Sequence, residues 1–159
     1  MHNTLHTMSN STIDRIEEAV DYGECFKVRV EGLSMLPMLG YDHDTIVVRR
    51  IDSDEPIMGR IAMCRTAPKH YVTHRVVKIE DDMVTMRGDG RLTYDTPISR
   101  ECVVGIVEGV IRKNGKYKSC TSRSWRLREQ LWLAQPMLLR RLSLAVIRRW
   151  RRLTHRENR

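Results

Sequence analysis

No run of about 18 apolar residues occurs in this 159-residue chain, so a membrane-spanning helix is not expected. The opening residues, MHNTLHTMSNST, are polar, which argues against a secretory leader. Cysteine is sparse and dispersed: Cys25, Cys64, Cys102 and Cys120 form no CxxC pair, and the chain is not a disulfide-dense miniature. Ordinary reduced thiols in a cytosolic protein are the expectation. HExxH is absent and no further ligand cluster joins His70 and His74, so neither metal nor cofactor is expected. There is no internal repeat, and the arginine-rich C-terminal segment is the one biased stretch.

Charge is divided unevenly. Residues 1–111 hold 13 Lys+Arg against 18 Asp+Glu, a net of −5, whereas residues 112–159 hold 15 against 2, a net of +13. The basic character belongs to the C-terminal segment, which calls for an anionic surface. The front part has the patterning of a mainly β fold. STIDRIEEAVDYG, residues 11–23, reads as a short helix with Ser11 as N-cap and Ile13, Ile16 and Val20 on one face. The period then becomes two. FKVRVEG, TIVVRRI (45–51) and RIAMCR (60–65) read as strands, and HYVTHRVVKIE and MVTMRG form a hairpin around Asp81-Asp82. CVVGIVEGVIR (102–112) is a further strand, with Gly105 and Gly109 marking a bulge or bend. Asn114-Gly115 signals a two-residue hairpin turn into KYKSC.

From Ser122 the spacing turns helical, and Pro136 divides the segment in two. Leu138, Leu142, Val146, Trp150 and Leu153 follow three- and four-residue steps, among Arg140, Arg141, Arg148, Arg149, Arg151 and Arg152. All three tryptophans, Trp125, Trp132 and Trp150, fall here. The arrangement predicts that residues 122–159 lie on an anionic membrane surface, arginines at the phosphates and indoles at headgroup level. Packing on the β core or a partner is the competing reading. Nucleic acid is disfavoured, because no helix-turn-helix or other reading element is present and the front part is acidic.

The candidate chemistry lies in EGLSMLPMLG, residues 31–40, where one small hydroxyl, Ser34, sits in an apolar turn between Gly32, Pro37 and Gly40. A serine hydroxyl is a weak nucleophile until a base takes its proton, and a tight turn can offer backbone N–H groups to an oxyanion. His74, in THRV, is the candidate base, with Lys69 and Lys78 as rivals. RGDGRLTYD supplies Asp89 and Asp95, either of which could orient a neutral imidazole. Taken singly, each piece has a plain structural reading as a turn serine, a core histidine or a loop aspartate.

In order, the pieces resemble the superfamily of type I signal peptidases and the LexA- and UmuD-type self-cleaving proteins. GLSMLPML resembles the nucleophile box, and DTIVVRR the strand after it. YVTHRVVKIEDDMVTMRGDG resembles the box that carries a lysine base before Arg-Val in bacterial signal peptidases, and CVVGIVEGVI the closing strand. His74 stands at the lysine position, which resembles the ER-type Ser-His-Asp branch. The resemblance covers roughly residues 26–112. It implies a compact signal-peptidase/LexA-like β fold with Ser34 as nucleophile, His74 as base, Asp95 as orienting acid and Asp89 as the neighbouring carboxylate. It also implies small side chains before the cut and an extended substrate along a strand edge.

The expected organisation is an N-terminal helical segment (1–25), a β catalytic domain (26–121) and a basic helical tail (122–159). The family's N-terminal anchor helix is not seen, and the arginine-rich tail lies outside the family pattern; the tail is expected to replace the anchor, with the site facing the cytosol. The expected activity is serine endopeptidase cleavage of a leader or signal-like segment from a peptide or protein precursor. The alternatives are a binding module that has lost turnover and a self-cleaving regulator. No DNA-binding element precedes the domain to favour the latter.

Overall fold

Alternating side chains along Phe26–Arg29 (β1) and Thr45–Arg49 (β2) bury Val28, Ile46 and Val48 and leave the residues between them partly in solvent. The two strands pair antiparallel, Phe26 opposite Val48 and Arg29 opposite Thr45. In the computed structural model, described over Ile16, residues 25–40 and residues 44–154, they open one eight-stranded antiparallel sheet. The remaining strands are β3 (Ile61–Ala67), β4 (His70–Glu80), β5 (Met83–Arg87), β6 (Ile98–Ser99), β7 (Val103–Ile111) and β8 (Tyr117–Ser119). The order is β1-β2-β7-β3-β4-β5-β6, with β8 added on β7. The expected mainly β architecture is therefore present. The helix expected over residues 11–23 lies outside the described residues apart from Ile16, which is helical and buried.

β3 shows why the sheet is covered on both faces. Ile61, Ala62, Met63 and Cys64 are all buried. Because successive strand side chains point opposite ways, Ile61 and Met63 enter one core cluster, and Ala62 and Cys64 the other. Each fully buried Ile or Met contributes about 1.5–3 kcal/mol of hydrophobic stabilisation.

The glycines of β7 mark its bends as expected. Register shifts opposite Met63/Cys64 and Val47/Val48 leave Val104 and Glu108 as extra residues, each adjacent to a glycine. A Cβ at Gly105 would collide with the Arg49 carbonyl, so only glycine permits that approach of β7 to β2. The turn at Asn114-Gly115 differs from the two-residue expectation. Ile111 pairs with Tyr117 and the Arg112 N–H donates to the Lys116 carbonyl, enclosing three residues, with Gly115 at φ +75°. A type I turn closed by a left-handed glycine is the three-residue solution, and Asn-Gly suits it equally well.

Helix α1 (Arg123–Leu133) begins where the Ser122 side chain accepts from the Trp125 N–H at 3.3 Å. It ends before Pro136, and α2 (Met137–Thr154) starts immediately after that proline. Trp125 and Trp132, seven residues apart on one face, are 2 % and 5 % exposed and join the core cluster of β1, β2 and β3. That corrects the expectation of three indoles at a lipid interface. A basic amphipathic helix does not say in its sequence whether its aromatic face meets lipid or its own sheet. Here Arg112 and Arg128 lie over the Trp125 ring and Arg140 over Trp132, so the surrounding arginines cover buried indoles. The Arg140 guanidinium also donates to the Trp132 carbonyl, closing the C-terminal end of α1. Among the described residues no helix is long and apolar enough to cross a membrane.

Candidate active site

His74 lies in β4 opposite Ala62 of β3, and only 4 % of it is exposed. Strand alternation turns it to the face of Val76 and away from Arg75. Its Nδ1 is 2.5 Å from Asp95 Oδ2. Asp95 is delivered by the segment after β5: its N–H donates to the Met86 carbonyl at 2.8 Å, which holds the loop against the strand. The other carboxylate oxygen accepts from Arg91 at 3.3 Å. Both oxygens are thus engaged; because a carboxylate can only accept, Nδ1 is the donor in this contact, which in a neutral imidazole leaves Nε2 as the acceptor.

Asp89, the other acidic candidate, serves a different partner. Arg75, 2 % exposed, donates through Nε and a terminal nitrogen to the two Asp89 oxygens at 2.8 and 2.7 Å. The same guanidinium reaches the Gly59 carbonyl at 2.7 Å and the Glu129 carboxylate on α1. Burial opposes the Arg75 charge most strongly; the Asp89 hydrogen bonds and the Asp89 and Glu129 charges outweigh it, and Arg75 titrates above its ordinary value. The indole N–H of Trp132 donates to the Asp89 carbonyl at 3.3 Å. Asp89 is therefore a buried tie between β4, α1 and its own loop, and the orienting carboxylate on His74 is Asp95.

Ser34 sits in the turn after β1, with Met35, Leu36, Met38 and Leu39 buried beside it. Its carbonyl accepts from the Gly90 N–H at 2.7 Å. The close fit explains the glycines of RGDG. A Cβ at Gly88 would strike the Ser34 carbonyl, and one at Gly90 would lie 2.7 Å from the Leu33 carbonyl. The serine turn is thus seated on the loop that Asp89, Arg75 and Trp132 hold. No hydrogen bond joins the Ser34 hydroxyl to His74 among the described residues.

The rival bases fare differently. Lys78 is largely exposed near the far end of β4 and pairs with Glu80 at 2.7 Å. Lys69 occupies the β3–β4 turn at φ +56° and is exposed. His70 begins β4, half-buried, and no group of three or more His, Cys, Asp or Glu able to hold a metal occurs among the described residues. The supports that sequence reasoning missed are Arg75, Arg91, Glu129 and Trp132. Arg75 adjoins His74 in the quoted box, but a buried arginine shows no periodic signal; Glu129 is 54 residues away and becomes a partner only through packing. Compared with family models, curated proteins and solved structures, the chain matches none of them.

Proposed function

We propose that the chain is a serine endopeptidase with the signal-peptidase/LexA-like fold, cleaving a leader or signal-like segment from a peptide or protein precursor. The observation that carries the reading is the buried His74 imidazole held through Nδ1 by Asp95 at 2.5 Å. An imidazole whose Nδ1 side is taken up by a carboxylate presents Nε2 toward a reacting alcohol, the arrangement that general-base activation needs. In the proposed reaction Nε2 takes the Ser34 proton as Oγ attacks the scissile carbonyl. The Ser34 backbone N–H stabilises the oxyanion with a neighbouring group. The imidazolium then protonates the leaving amine as the C–N bond breaks. Water, deprotonated by Nε2, attacks the acyl ester; the proton returns to Oγ and the carboxylate product leaves. β1 ends the sheet and runs straight into the Ser34 turn, so a substrate extended along that edge would lead to the hydroxyl.

A second reading, a peptidase-like binding module without turnover, draws on the absent Ser34–His74 hydrogen bond. Catalytic contacts often tighten only with substrate bound, so both readings start from the same geometry. Incubation with candidate precursor peptides, followed by mass spectrometry, separates them. Ser34→Ala and His74→Ala should each lower cleavage by about 10³-fold or more, while Lys78→Ala leaves it unchanged. Cleavage that survives Ser34→Ala removes the nucleophile, and binding without cleavage by the wild type establishes the module.

A further inference from the structure

Among the described residues, helix α2 enters the core along one side. Leu144 is 3 % exposed within the core and Arg140 is 5 % exposed at the elbow with α1. Leu138, Leu142, Val146 and Trp150, four residues apart in turn, are 64–73 % exposed. At 100° per residue they form a single stripe, and Leu139, 53 % exposed, widens it. An apolar arc this broad, held on a helix that its own core already anchors elsewhere, is a surface made for contact.

We infer that this face of α2 docks flat on an anionic lipid bilayer. Three observations choose the occupant. The helix carries six arginines and no acidic residue, and Arg141 and Arg149 are exposed beside the stripe. Two copies packed face to face would bring both sets of arginines together with no carboxylate on α2 to offset them, which disfavours a second copy of the chain. A nucleic acid would use the arginines but leave the leucine stripe in water. A bilayer of anionic headgroups takes both at once, with the stripe at the acyl boundary, the guanidiniums at the phosphates and Trp150 at headgroup depth. Because Trp125 and Trp132 are core residues, Trp150 on α2 supplies the indole of the contact. The inference stands on this surface and not on the peptidase reading.

The test is flotation of the full chain with vesicles of mixed phosphatidylglycerol and phosphatidylcholine, against vesicles of phosphatidylcholine alone. The wild type should float with the anionic vesicles and show a blue shift of tryptophan emission, which Trp150, 69 % exposed, should give. Leu142→Glu with Val146→Glu should abolish flotation, and Arg141→Gln and Arg149→Gln should each weaken it by about fivefold. These positions are exposed, so an unchanged melting temperature shows that the fold is intact. Wild-type protein that stays at the bottom of the gradient overturns the inference. So does undiminished flotation of the double glutamate variant, or a concentration-dependent dimer that the same variant dissolves.

Discussion

Asparagine at position 89 or at position 95 should have opposite consequences, because the two carboxylates do different work. Asp89 is 3 % exposed and holds a guanidinium that is 2 % exposed, through two hydrogen bonds of 2.7–2.8 Å. Asp89→Asn keeps one acceptor, turns an amide N–H₂ toward the guanidinium and removes one of its two compensating charges. Breaking a buried pair costs about 3–5 kcal/mol. Glu129 remains on Arg75, so the lower end, about 3 kcal/mol, is expected. In a chain of this size that corresponds to a fall in Tm of about 6–12 °C. The side chain of Asp95 is 19 % exposed and ties down no buried cation, so Asp95→Asn should cost about 1 kcal/mol or less. It should instead reduce peptide cleavage by about 10⁴-fold through loss of the imidazole's orientation. Urea and thermal unfolding of both variants, with cleavage assayed on each, decide the matter. If Asp89→Asn melts within about 2 °C of the wild type, the buried-tie argument fails. If it abolishes cleavage while keeping its stability, the two aspartates have been assigned the wrong way round. Arg75→Met combined with Asp89→Leu should recover part of the lost stability, since matched apolar replacement leaves no orphan charge.

Two other predictions follow from the packing. Gly88→Ala should lower stability by about 1–3 kcal/mol and depress cleavage, because the new methyl group displaces the Ser34 carbonyl from its seat; an unaltered melting curve with full activity would refute the close fit. Burial pushes the Cys64 and Cys120 thiols up to about 12, whereas Cys25 is exposed. Iodoacetamide at pH 8 should therefore label Cys25 first and leave Cys64 and Cys120 largely intact until unfolding. Peptide mapping that finds Cys64 modified as fast as Cys25 would contradict its burial. The folded state keeps these two protons longer than the unfolded chain, so stability is full below about pH 8.5 and falls as pH rises from there toward 12.

The strands were legible because period-two alternation requires only that one face be buried, and TIVVR and MVTMR meet that requirement locally. The hairpin at Asp81-Asp82 and the helix break at Pro136 were equally local, resting on turn chemistry and on a residue that cannot continue a helix. Among the described residues, the mainly β front part and the two C-terminal helices agree with that patterning. Asn114-Gly115 announced a turn but not its length, because its glycine serves a two- or three-residue loop alike.

For the site, the sequence alone determined which side chains could do chemistry: a lone hydroxyl between glycines, an imidazole within a strand and two aspartates six residues apart. Which aspartate meets the imidazole was a tertiary decision, since both lie beyond β5 and only the bond from the Asp95 N–H to Met86 swings one of them onto His74. The fate of the tryptophans was another. Composition and helical spacing describe an apolar face without saying what covers it, and only packing put Trp125 and Trp132 in the core while leaving Leu142 and Trp150 outside. Local patterns fix periodicity and turn; the pairing of distant charges and the choice of covering surface arise only when the chain is closed, because their free energies depend on neighbours far away in sequence.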